Sequence, residues 1–242
     1  MLKKGERGDG MDKLAVLRQY FGFPAFRAGQ QTLIDAVLSG RDALGVMPTG
    51  GGKSLCYELP ALLLPGMTLV VSPLISLMKD QVMALRNAGI PAGCINSSMS
   101  LDELRETYRD ARYGAYKLLY VAPERLLTDG FCSLAQELEI PLVAVDEAHC
   151  ISQWGQDFRP SYLKIVEFLQ RLPRRPAVAA FTATATAQVR ADIIRILQLH
   201  EPETVVTGFD RPNLRFEVLR PKDKRTALLQ LLSERRDKSG IV

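Results

Sequence analysis

The chain is built from short apolar runs that show no polar alternation, separated by stretches with helical spacing. "DALGVMP", "MTLVVSP", "KLLYVAP", "LVAVDEA", "AVAAFTATA" and "ETVVTG" are such runs. A strand that is apolar at successive positions is buried on both faces, which is the condition of a parallel sheet covered by helices. Between the runs, "LISLMKDQVMAL" sets Leu74, Met78, Val82 and Leu85 three and four residues apart, and "QTLIDAVL" does the same with Leu33, Val37 and Leu38. Each makes one apolar stripe of a helix lying on the sheet. The alternation predicts an open, doubly wound α/β domain whose ligands sit at the carboxyl ends of its strands.

The 242 residues, 47% hydrophobic and 24% charged, are enough for one large domain or one domain and part of another. No apolar run approaches the roughly 20 residues of a membrane span. Residues 1–10, "MLKKGERGDG", lack the apolar segment of a secretory signal and read as a mobile leader. The first domain is expected over 11–207. From 208 to 242 a different segment follows: "FDRPNLRFEVLRP" reads as a strand, "KDKRTALLQLLSERRDKSG" as a charged helix, and Ile241-Val242 as the start of a further strand, cut off. Cys56, Cys94, Cys132 and Cys150 form no C-x-x-C pair, and the only histidines are His149 and His200, so neither a zinc site nor a disulfide framework is expected. Reduced thiols fit a cytoplasmic protein, or a nuclear one in a eukaryote. The net charge of +4 arises in the tail, where residues 207–242 hold 9 basic and 5 acidic side chains against 22 and 22 before them. A nucleic-acid site in the first domain would therefore rest on locally placed groups rather than on a broad basic field.

"MPTGGGKS" follows the first apolar run. A glycine-rich turn between strand and helix exposes consecutive backbone N–H groups at the positive end of a helix dipole, which suits phosphate. Thr49, Gly50, Gly51 and Gly52 form the cradle, Lys53 reaches the β- and γ-phosphates, and the Ser54 hydroxyl takes one Mg²⁺ position. The general pattern has Gly where this chain has Met47. "LVAVDEAHC" supplies the second half of a phosphoryl-transfer site: Asp146 at a strand end holds Mg²⁺ through water, and Glu147 orients and deprotonates the attacking water. Together the two motifs predict an NTP hydrolase, with Lys53, Asp146 and Glu147 as its catalytic groups.

"MPTGGGKS", "DEAHCISQWGQDF", "FTATAT" and "FRAGQ" together resemble the RecQ-type DNA helicases of superfamily 2, from about Leu14 to the last residue. The resemblance implies a RecA-like, P-loop NTPase fold followed by the start of a second RecA-like domain, with ATP and Mg²⁺ as cofactors. It assigns "FGFPAFRAGQ" to adenine: Phe23 and Arg27 would sandwich the ring, and Gln30 would pair with its N6 and N7. It assigns "CISQWGQDFRPSY" to an aromatic-rich loop that signals DNA occupancy to the hydrolytic site, with Ser152, Gln153, Trp154, Asp157, Phe158 and Arg159 matching and Gln156 standing where relatives commonly have His. Ser72, Ser76 and Lys79 are then phosphodiester contacts, Thr182 and Thr184 link the acidic motif to the DNA path, and Arg211 and Asn213 touch the tracking strand. The implied partners are single-stranded and partly duplex DNA, and the implied activity is 3′–5′ unwinding in repair and recombination.

No "Q-x-x-G-R-x-G-R"-like segment is present. The resemblance therefore makes this chain a first motor domain and a stub, without arginine fingers, zinc module or winged helix, able to bind ATP·Mg²⁺ weakly and hydrolyse it slowly. Two other readings stand beside it: a nucleotide-gated nucleic-acid-binding module with little turnover, and a P-loop phosphotransferase acting on a small metabolite.

Overall fold

A computed structural model describes residues 12–208 and 217–240. The expected leader, Arg211, Asn213, most of the strand read in "FDRPNLRFEVLRP", and Ile241-Val242 lie outside the described residues. Contacts divide the chain into two units between Phe209 and Asp210.

The first unit is built on seven strands, β1 (Ala43–Val46), β2 (Thr68–Val71), β3 (Ala92–Ile95), β4 (Leu118–Val121), β5 (Leu142–Val145), β6 (Ala177–Thr182) and β7 (Glu203–Val206). They form one sheet in the order β3-β4-β2-β5-β6-β1-β7, and every ladder is parallel. Among the described residues, eight α-helices accompany them: α1 (Lys13–Phe21), α2 (Gln30–Leu38), α3 (Leu55–Leu63), α4 (Ile75–Asn87), α5 (Leu101–Arg112), α6 (Asp129–Glu137), α7 (Lys164–Arg171) and α8 (Ala187–Ile196). Both faces of the sheet are covered. Val143 and Val145 of β5 pack with Phe131, Phe168 and Ile193 from α6, α7 and α8. Leu142 and Ala144, alternating with them, face the opposite layer, where Leu33, Tyr57 and Met78 come from α2, α3 and α4. The two-sided burial is what the unalternated strands required.

In the second unit α9 (Lys224–Glu234) forms over the charged stretch read as helical, and it has no buried residue. Residues 217–220 carry no strand.

Two expectations about the first unit need correction. Leu74 is not in the apolar stripe: it caps α4 in an extended conformation and is 44% exposed, while Met78, Val82 and Leu85 are buried as read. The register starts one residue late because the strand-to-helix turn at Pro73 occupies the first position. The edge strand β3, "AGCI", was missed; Gly and Cys carry little strand signal, and its register is set from outside by β4.

An ion pair with a buried carboxylate ties together three segments at the amino-terminal side of the sheet. Asp42 is 2% exposed and precedes β1. One carboxylate oxygen accepts from Arg175 Nη1 (3.0 Å) and the Val178 N–H (2.9 Å), the other from Arg175 Nη2 and the His200 N–H (2.7 Å). It joins the starts of β1 and β6 to the turn after α8.

Candidate functional site

The carboxyl ends of β1, β5 and β6 meet in the middle of the sheet, with β6 between the other two. The end of β1 therefore lies two ladder steps from that of β5, roughly 10 Å. Residues 47–54 leave β1, Asp146 and Glu147 leave β5, and Thr182–Thr184 leave β6, so the topology collects all three segments around one cleft.

The loop after β1 is shaped by glycine. Gly50 and Gly52 have φ of 79° and 81°, conformations that L side chains rarely adopt. A Cβ on Gly52 would lie 2.3 Å from Gln30 Nε2. Gln30 is 2% exposed, and its amide is engaged: Nε2 donates to the Gly52 carbonyl at 3.1 Å and Oε1 accepts from the Arg27 N–H at 2.8 Å. Arg27 donates to the Gly50 carbonyl, and its guanidinium lies 5.8 Å over the Phe23 ring. Phe23, 45% exposed, and Arg27 thus touch each other, and together with Gln30 they buttress the phosphate cradle from the side. Lys53 Nζ donates to the Met47 carbonyl at 3.2 Å, folded back across the loop mouth. Thr49 is exposed, and Ser54 opens α3.

At the end of β5, Asp146 is buried and its carbonyl accepts from the Tyr162 hydroxyl at 2.8 Å. Burial drives its carboxyl up to about 6, with the neighbouring Glu147 pushing the same way. Glu147 occupies the left-handed region at φ 48°, ψ 45°, a strained position for a residue with a side chain. That turn aims its carboxylate at His149 Nδ1, 3.2 Å away. The bond to His149 holds the Glu147 carboxyl below its ordinary range, so at neutral pH it is an ionised acceptor. The Cys150 thiol near Nε2 and the Glu147 carboxylate raise the imidazole in turn. His149 Nδ1 also meets Thr182 Oγ1 at 2.9 Å, and that hydroxyl donates to the Thr184 carbonyl at 3.1 Å while accepting the Thr184 N–H. One chain of polar contacts therefore runs Glu147–His149–Thr182–Thr184.

Its far end is an open cleft of about 350 Å³ lined by Trp154, Gly155, Gln156, Thr184, Ala185, Thr186 and Val189. Trp154 is 74% exposed, and Gln153 and Gln156 are exposed beside it. Arg159 pairs with Asp157 and donates to the Pro73 carbonyl at 3.0 Å, which joins this loop to the β2–α4 turn where Ser76 and Lys79 are exposed. Ser72, read as a phosphodiester contact, is instead interior, and two residues read as coupling groups, Ser152 and Thr182, are buried as well. Ser72 is buried with its hydroxyl unpartnered, Ser152 is fully buried, and Thr182 is fully buried within the polar chain.

The site brings together an N–H-lined cradle, a lysine, a serine, an ionised and a buried carboxylate, and an exposed indole. Two adjacent acids with one carboxyl pushed up by burial are a donor set that a cation would stabilise, and the Ser54 hydroxyl suits the same hard ion. His149 as the connector was not read from the sequence, although its place inside "DEAH" was a usable signal.

Behind the cradle, Glu58 on α3 is buried and accepts from the Tyr120 hydroxyl at 3.3 Å. Burial raises its carboxyl to about 7. A carboxyl raised from 4.5 in the folded state binds more protons than its unfolded counterpart, so stability falls as pH rises from about 4.5 to about 7 and stays lower above that. Glu58→Gln keeps the acceptor for Tyr120 and removes this loss. Urea unfolding at pH 8 should find the variant more stable by about 1–3 kcal/mol, with the gap closing towards pH 4.5; equal stabilities at both pH values would contradict the raised carboxyl.

The model of the DEAD/DEAH box helicase family matches residues 27–193. The ATP-dependent DNA helicase RecQ of Bacillus subtilis is 48% identical over 229 residues, covering 94% of this chain and 39% of that protein. The protein of the same name from Pasteurella multocida is 45% identical, covering 95% and 36%. Among solved structures, the helicase domain of Pyrococcus furiosus Hef superposes with a TM-score of 0.59 at 18% identity, over 78% of this chain and 39% of that one, a likeness of fold. The chain spans under two fifths to about two fifths of the length of the curated relatives it matches.

Proposed function

The chain belongs to the DEAD/DEAH box helicase family, and from that premise we propose that it is the ATP-binding motor domain of a RecQ-type DNA helicase. Its relatives at 45–48% identity are named ATP-dependent DNA helicases. In this reading the protein of which the chain is a part translocates 3′–5′ on single-stranded DNA and opens duplexes in repair and recombination. The chain alone supplies the nucleotide site and one wall of the DNA path.

The observation that carries the reading is the polar chain Glu147–His149–Thr182–Thr184, which ends at the cleft beneath Trp154. A phosphotransferase for a small metabolite has no use for such a connection. Glu147, ionised and fixed by its strained turn, accepts a proton from the water that attacks the γ-phosphorus; the bond from that phosphorus to the bridging oxygen breaks, and ADP leaves. Lys53 leaves the Met47 carbonyl for the β- and γ-phosphates, and the N–H groups of the glycine loop hold the phosphate oxygens. Phe23 and Arg27 open from each other to receive adenine, and Gln30 gives up its bonds to the cradle carbonyls to read the edge of the base. Ser54 and Asp146 would hold Mg²⁺, which would supply charge neutralisation of the phosphates. Occupancy of the Trp154 cleft by a base shifts Thr184, and the shift reaches Glu147 through Thr182 and His149.

Trp154→Ala should weaken binding of a fluorescent oligo-dT strand by about 5- to 100-fold, the range expected for loss of one stacked base. ATP affinity should stay within about twofold. Unchanged oligo-dT affinity would remove the nucleic-acid reading, and tighter binding of the matching RNA strand would redirect it to RNA.

A further inference from the structure

The loop that presents Trp154 has little regular structure of its own, yet its backbone is held from below. Ser152 is fully buried. Its hydroxyl accepts the Trp154 N–H at 3.1 Å and donates to Asp192 Oδ2 at 2.8 Å. Asp192, 6% exposed, projects from α8, and its other oxygen accepts from Arg195 at 2.8 Å. Gly155 adds a constraint: a Cβ there would stand 2.3 Å from the His149 carbonyl, so the turn after Trp154 lies flat against the segment that carries His149. Between loop and helix lies a cleft of about 390 Å³, bordered by Trp154, Phe158, Gln188, Asp192 and Arg195. It leaves the Ser152–Asp192 bond as the buried polar tie between the two. Helix α8 begins directly after the Thr184 segment, so the element that holds Ser152 also adjoins the far end of the polar chain.

We propose that Asp192 is a positioning residue for nucleic-acid recognition: through Ser152 it fixes the backbone of Trp154, and so sets the angle at which the indole meets a base. The inference rests on the proposed DNA-binding role of the loop and deepens it. Asp192 touches neither nucleotide nor base; it acts through Ser152 alone. A charge-assisted bond between buried groups is among the stronger polar contacts, and here it holds a side chain that is itself in solvent.

Trp154 is the chain's only tryptophan, so its emission reports this loop directly. Asp192→Ala should lower the steady-state anisotropy of that emission as the indole gains freedom, and weaken oligo-dT binding about tenfold. ATP affinity should stay within about twofold. Asp192→Asn, which still accepts from Ser152, should restore anisotropy and oligo-dT affinity to within about threefold of the parent. Ser152→Ala removes the same bond from the other side and should reproduce the alanine result, so a failure of Asp192→Ala to fold leaves the comparison available. Wild-type anisotropy in folded Asp192→Ala or Ser152→Ala would overturn the proposal, as would an Asp192→Asn variant no better than Asp192→Ala. If the parent itself binds no oligo-dT, the DNA reading falls, while the anisotropy series still decides whether Asp192 orders the loop.

Discussion

Glu147→Gln will lower single-turnover ATP hydrolysis by this chain by about 10²- to 10⁴-fold, the range typical of losing a general base, while ATP binding stays within about threefold. The reason is local. Glu147 sits in a left-handed turn with its carboxylate bonded to His149, ionised and held in one orientation. Gln has the same shape and can keep a contact with His149, but it cannot take a proton from water. The carboxylate of Asp146 is untouched, so ATP affinity is expected to change little. The measurement uses protein in excess over labelled ATP, so that a single round of hydrolysis is followed. Equal rates for the two proteins would assign proton transfer elsewhere.

Asp42→Ala will destabilise the first unit by about 2–4 kcal/mol, mostly the cost of leaving backbone N–H groups without their acceptor, since the Arg175 guanidinium is partly solvated. Four donors lose their acceptor at once: two guanidinium N–H groups of Arg175 and the backbone N–H groups of Val178 and His200. The Val178 N–H is buried, so water replaces the lost bond poorly. Asp42→Asn keeps an acceptor for part of the set and should lose less. Because the cluster lies at the amino-terminal ends of the strands, the variant should bind ATP normally at temperatures where it remains folded. Chemical unfolding that gives Asp42→Ala a stability within about 1 kcal/mol of the parent would contradict the account.

What could be read in advance follows from how locally each feature is encoded. The strands β1, β2, β4, β5 and β6 and the helix α4 are announced by their own residues, since burial on two faces or on one stripe leaves a pattern in the adjacent sequence; β7 forms where it was read, but as an edge strand with no residue fully buried. The edge strand β3 is not so announced, because its partner β4 decides it. Lys53, Asp146 and Glu147 come to one cleft because each follows a strand that ends there. Gln30, Ser72, Ser152 and Thr182 could be picked out by residue type, but their direction depends on neighbours distant in sequence. Gln30 is turned onto Gly52, and Ser152 onto Asp192. Asp192 itself left a trace: it falls three residues after Val189 and just before Ile193, on the buried side of α8, where a carboxylate needs a partner. Asp42, directly before a buried strand, left a similar one.

The most direct test of the central claim is a titration of ATP·Mg²⁺ into the chain and its Lys53→Ala variant, with hydrolysis followed in the presence and absence of single-stranded DNA. The account predicts Mg²⁺-dependent ATP binding that Lys53→Ala abolishes, with slow turnover that disappears with it. Indistinguishable ATP binding by the two proteins would contradict the glycine loop as the nucleotide site, and with it the reading of this chain as a motor domain.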